Sequence, residues 1–127
     1  MKVTPRTPPR AFDVGQAQVI QLKDCGRIEL APDEQVTFLT EAGGEYDVVR
    51  KSWGFYATPS LNGRLKRFGL RAALVKSPPG KFYVVLVEQG KEFAFEQYAV
   101  LERYRLVGWL DDEASLNALE RCLGGSS

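Results

Sequence analysis

Between Val48 and Val87 the chain carries eight cations, Arg50, Lys51, Arg64, Lys66, Arg67, Arg71, Lys76 and Lys81, and no carboxylate. Every acid lies in the flanks, from Asp13 to Asp47 before the block and from Glu88 to Glu120 after it. A guanidinium presents a rigid planar fork that matches a carboxylate or phosphate, which makes anion recognition the chemistry this block could perform. Aromatic rings are densest in the same place, in Trp53-Gly54-Phe55-Tyr56, and Asn62 adds an amide. The candidate ligand-binding set is therefore Arg50, Lys51, Trp53, Tyr56, Asn62, Arg64, Arg67 and Arg71. Arg50 and Arg64 would read the anion, and Trp53 and Tyr56 would wall it.

The same residues also have a purely structural reading. Opposite charges on neighbouring strands stabilise pairing by about 0.2 to 1 kcal/mol, so acidic strands could simply flank a basic hairpin. Trp53 and Phe55 fit core or hairpin packing, whereas Tyr56 and Trp109 fit partly exposed positions.

Catalysis has little to stand on. The chain has no histidine, which removes the usual neutral-pH proton shuttle and most zinc sites. Asp111-Asp112-Glu113 precede a helical pattern and read as caps rather than as an acid-base pair. No phosphate-cradling glycine motif is present. No catalytic residue, metal ligand or cofactor is expected, and an enzyme working without histidine is an alternative with no motif behind it. Single-stranded nucleic acid is a second alternative, because bases stack on aromatic rings interleaved with cations. The net charge of +1 and the acidic flanks argue against it.

The elements that must position these residues follow from size and pattern. A chain of 127 residues, 44% hydrophobic and 26% charged, fits one globular domain with one core. No apolar run approaches membrane-spanning length and no leader-like pattern opens the chain, so a cytoplasmic protein without membrane contact is expected. Cys25 and Cys122 stand far apart without metal-binding spacing and read as reduced thiols.

Residues 1–16 hold Pro5, Pro8 and Pro9 with three cations and read as a flexible arm outside the ladder. Residues 17–124 form the globular domain, and 125–127 a frayed tail. Period-two apolar spacing broken by Gly, Pro and Asp clusters predicts antiparallel strands from Gln18 onward. A hairpin is expected over Asp47–Arg71, with Gly54 as a bulge and Asn62-Gly63 as its tight turn. Residues 82–87, FYVVLV, are apolar on both parities and predict the central strand of the sheet. Glu92 to Tyr98 reads as a further strand, and strand is favoured over helix for most of 97–105. Leu116, Leu119 and Leu123 predict a helix over about 112–123 with one face on the sheet.

The class so defined is α+β, mainly β: an antiparallel curled sheet, as a sandwich or open barrel, with a C-terminal helix. The expected function is a non-catalytic binding module whose partner is a small anionic or sugar-like ligand or a protein. Open sheet edges leave room for a homodimer.

Overall fold

A computed structural model of the chain describes residues 1–15 and 17–124. Gln16 and the expected frayed tail, 125–127, lie outside the described residues. Among the described residues eight strands and three helices follow in the order β1 (Lys2–Val14), β2 (Ile20–Glu29), β3 (Gln35–Leu39), β4 (Glu45–Lys51), β5 (Gly54–Ala57), α1 (Arg64–Arg67), β6 (Leu70–Lys76), β7 (Phe82–Glu88), α2 (Glu92–Leu101), β8 (Arg105–Trp109) and α3 (Glu113–Gly124). The class is α+β, mainly β, with antiparallel sheets and a C-terminal helix. Three separate sheets, ordered β1-β2, β3-β4-β5 and β7-β6-β8, are present and do not close into a barrel. No helix of the described residues is long and apolar enough to cross a membrane.

The chain forms two compact units. Unit 1 comprises Met1–Thr37 and Asp47–Thr58, and unit 2 comprises Phe38–Tyr46 and the residues from Pro59 on. In unit 1 the proline-bearing start of the chain pairs, contrary to the expectation that prolines would keep it out of a ladder. Strand β1 lies antiparallel to β2, from Lys2↔Glu29 to Val14↔Ile20. The register breaks between Pro5 and Arg10, where Pro8 and Pro9 offer no N–H to a partner. Prolines thus interrupt the ladder locally and leave its ends intact. Gly26, at φ 146°, makes the close approach possible, since a Cβ there would lie 2.5 Å from the Thr4 carbonyl oxygen. Among the described residues, the buried hydrophobic ones all belong to unit 2.

Unit 2 is built around β6. Leu65, Leu70 and Ala72 form its buried cluster, with Tyr46 and Leu110 packed against it. Strand β6, not FYVVLV, is central: β7 and β8 both pair with it antiparallel. β7 is an edge strand whose Val85 and Val87 turn inward while Phe82, Val84 and Leu86 stay exposed. Apolarity on both parities cannot tell a covered face from an open one. β7 and β8 run parallel to each other, and a parallel pair requires a crossover rather than a hairpin. That connection is α2, so the strand expected over Glu92 to Tyr98 is a helix. Phe95 meets Trp109 edge to face at 5.9 Å, and Tyr98 stacks on Tyr104 at 6.1 Å.

Helix α3 forms where its leucine spacing predicts, with Asp112 accepting a hydrogen bond from the Ser115 N–H at 3.0 Å as a capping group. It does not bury its apolar face as expected: none of its residues is buried, and Leu119 and Leu123 are exposed.

Candidate anion-binding groove

The hairpin in the central stretch is shorter than its sequence suggests. Strands β4 and β5 pair from Val48↔Ala57 to Lys51↔Gly54 and turn at Ser52-Trp53. Gly54 follows the turn at φ 148° with open space where a Cβ would be, a backbone that non-glycine residues rarely adopt. It opens β5 rather than bulging a longer strand. Asn62-Gly63 is not a hairpin turn but leads into α1, with Arg64 N–H bonded to the Ser60 hydroxyl at 3.0 Å. Trp53, Phe55 and Tyr56 are 71%, 67% and 51% exposed, so the expected packing of Trp53 and Phe55 into a core does not occur. A four-residue strand at the sheet edge has too little cover to hide them.

Arg50 stands directly opposite Phe55 in this ladder. Its backbone is held on both sides, donating to the Glu34 carbonyl at 2.9 Å and accepting from the Asp33 N–H at 2.6 Å. Its guanidinium therefore projects from a fixed base. Lys51 is bound to Asp33 at 2.6 Å.

The β1–β2 ribbon supplies the other cations. Alternation along a strand places residues two apart on one face, and the pairs Lys2↔Glu29 and Thr4↔Arg27 share such a face. Lys2, Thr4, Arg27, Arg50 and Phe55 line one groove of about 650 Å³, with Gly54 at its wall. Glu29 is the carboxylate that joins them. Elsewhere in unit 1, Asp24 binds Arg6 at 3.0 Å and Arg10 at 3.5 Å. Lys2, Arg27 and Arg50 make no ion pair among the described residues. Three cations that make no ion pair among the described residues, one carboxylate and one ring thus face a shared concavity.

The residues expected from the sequence divide between the units. Arg50, Lys51, Trp53 and Tyr56 belong to unit 1, and of these Arg50 lines the groove. Asn62, Arg64, Arg67 and Arg71 belong to unit 2. There Asn62 reaches Glu113 at 3.5 Å, Arg64 lies 5.0 Å over the Phe68 ring, and Arg67 is exposed on α1. Lys2, Thr4, Arg27 and Phe55 also line the groove and are outside the set expected from the sequence. Lys2 and Arg27 are far apart in the chain and become neighbours only through antiparallel pairing, whereas Phe55 belongs to the aromatic run but fits packing by its sequence.

Arg71 anchors a second polar centre in unit 2. Its Nε and Nη2 donate to Asp111 at 2.7 and 3.2 Å, its Nη1 donates to Glu92 at 3.3 Å, and its plane lies 3.9 Å over Trp109. The bond from Arg71 holds the Asp111 carboxyl below its ordinary range against the opposing effect of burial. The Glu92 carboxyl is lowered too, first by its own backbone N–H and then by Gly90 and Arg71. Asp111 is therefore no helix cap but a buried ion-pair partner, and both carboxylates are stabilised as anions. A general acid needs the opposite shift. Among the described residues no group of three or more His, Cys, Asp or Glu side chains gathers as metal ligands do. No family model matches the chain, and no curated protein or solved structure is significantly similar to it.

Proposed function

We propose that the protein is a non-catalytic binding module for an anionic ligand, and that unit 1 holds the ligand in the groove lined by Lys2, Arg27, Arg50 and Phe55. The observation that carries this reading is the imbalance of charge there: three cations without ion-pair partners among the described residues face one carboxylate, Glu29. Cations left uncompensated beside one another repel, and an anion relieves that repulsion while gaining charge-assisted hydrogen bonds. The exposed ring of Phe55 supports a ligand with an apolar surface next to its charge.

We place the protein in the cytoplasm, where the two free, exposed thiols of Cys25 and Cys122 would stay reduced. Among the described residues the outer edges of β1 and β2 carry no partner strand, which supports self-association as a homodimer. A monomeric mass by light scattering at high concentration would remove that part of the reading.

The groove is tested with two fluorescein-labelled polyanions, polyglutamate and oligothymidylate, titrated at low salt. Wild-type protein should bind at least one of them, and a variant combining Lys2→Ala, Arg27→Ala and Arg50→Ala should bind neither while keeping its circular dichroism. Failure of the wild type to bind either polymer would sink the reading.

A further inference from the structure

Deepening the anionic-ligand reading on which it rests, we infer that the ligand of the groove is single-stranded nucleic acid. The ladder puts a phosphate-reading group and a base-stacking group side by side. Arg50 and Phe55 are directly opposed across β4 and β5, and opposed residues in an antiparallel pair hold their Cβ atoms about 5 Å apart on the same face. A guanidinium and an exposed ring thus sit within the reach of one nucleotide's phosphate and base. Lys2 and Arg27 continue the positive lining on the ribbon side, so a backbone can follow cations along the groove while a base turns toward Phe55.

The alternative polyanion of protein chemistry, an acidic peptide, would answer the cations and leave the rings unexplained. Phe55 stands 67% exposed beside the charges, with Trp53 at the turn next to it. An exposed ring beside cations is a surface on which a base can stack, and every base offers a π face. Gly54 adds to the fit, because the position where its Cβ would stand is empty and backbone is open to close approach. A duplex hides its base faces in the stack, so the ring favours an unpaired strand.

The groove also says what kind of recognition to expect. Among the described residues its lining carries no Asn or Gln to read adenine, and with Lys2, Arg27 and Arg50 engaged on phosphates none of these is left to read guanine. Binding should therefore tolerate sequence and depend on salt. With three cations neutralising phosphates, counterion release predicts a slope of log K against log salt of about −2 for a single strand. Each cation removed should lower the magnitude of that slope by about 0.7.

The test uses the full chain, fluorescence anisotropy and three labelled probes: an oligothymidylate, the same sequence as a duplex, and polyglutamate of equal charge. The expected result is that oligothymidylate binds about tenfold or more tightly than the other two. Phe55→Ala should weaken it about tenfold with the salt slope unchanged, as loss of one stack would, and Phe55→Trp should retain it. Arg50→Ala should reduce the slope, and Arg50→Lys should restore it. Phe55 is exposed and Arg50 half-buried, and circular dichroism checks that each variant is folded.

Equal binding of oligothymidylate and polyglutamate, unaffected by Phe55→Ala, would overturn the nucleic-acid inference and leave the anionic-ligand reading standing. Tighter binding of polyglutamate or of duplex would also overturn it. Binding of none of the probes would overturn both.

Discussion

The guanidinium of Arg71 holds Asp111 by two hydrogen bonds, 2.7 Å from Nε and 3.2 Å from Nη2, and so ties the central strand β6 to the segment between β8 and α3. Asp111 is 3% exposed, so its charge has little water to fall back on. Removing one partner of a buried pair leaves the other uncompensated and costs more than the pair contributes. Arg71→Ala is accordingly expected to destabilise the fold by about 3 kcal/mol, read as a shifted urea midpoint. A change under about 1 kcal/mol would show that water reaches Asp111 freely.

The same pair sets an acid limit. The folded Asp111 carboxyl is held below its unfolded value by Arg71, so the stabilisation it provides is complete above the ordinary aspartate pKa of about 3.9 and is lost as pH falls through the lower folded value. Wild type should lose stability steeply over that acid window. Asp111→Asn should be weaker at neutral pH and flatter below pH 4. Parallel pH profiles of the two proteins, taken by denaturant titration, would assign the acid limb to other carboxylates.

Leu65 and Val84 should respond in opposite ways to truncation. Leu65 is 0% exposed at the centre of the buried cluster, so Leu65→Ala should cost about 2 to 5 kcal/mol through lost burial and the cavity left behind. Val84, on the outer face of β7, is 63% exposed, and Val84→Ala should stay within about 0.5 kcal/mol. A large loss at Val84 in concentrated solution that vanishes on dilution would reveal a partner covering that face.

Asp112 caps a helix that packs on little. Loss of an N-cap costs about 1 kcal/mol of helix stability, but α3 fully buries no side chain and only Leu116 and Ala118 are half-buried. Asp112→Ala should therefore lower helical circular dichroism and speed amide exchange in α3 while leaving the global midpoint almost unmoved. A midpoint shift as large as that of Leu65→Ala would mean that α3 is coupled to the core.

Gly26 is the tight point of the ribbon. A Cβ there would meet Thr4 O at 2.5 Å and Pro5 Cα at 2.8 Å, both backbone atoms, in a backbone at φ 146°. Gly26→Ala should push β1 away from β2, raise amide exchange from Lys2 to Thr4, and weaken polyanion binding by displacing Lys2 from Arg27. Exchange rates in β1 equal to those of wild type would show that the ribbon absorbs the methyl group.

Much of the architecture is written in local pattern. Period-two spacing marks most strands because alternate side chains face alternate sides of a sheet, and the α+β class follows from those strands and the leucine spacing of α3. The cap at Asp112 is legible because a carboxylate before a helical run satisfies free N–H groups whatever the rest of the chain does. The cation-rich, acid-free block around Arg50 is visible in the sequence for the same reason: it is a property of neighbours along the chain.

What the sequence could not determine depends on which strands meet. Pairing of β6 with both β7 and β8 makes LRAALVK central and FYVVLV an edge, and it forces a helical crossover where residues 92–98 look like a strand. The proline-bearing start becomes β1 because Lys2–Pro5 finds Gly26–Glu29 across the ladder, with Gly26 allowing the approach. The groove has the same origin. Arg50 is readable from its own neighbourhood, but Lys2 and Arg27 join one face only when β1 and β2 are laid side by side, and Phe55 stays exposed because β5 is a short strand at the sheet edge.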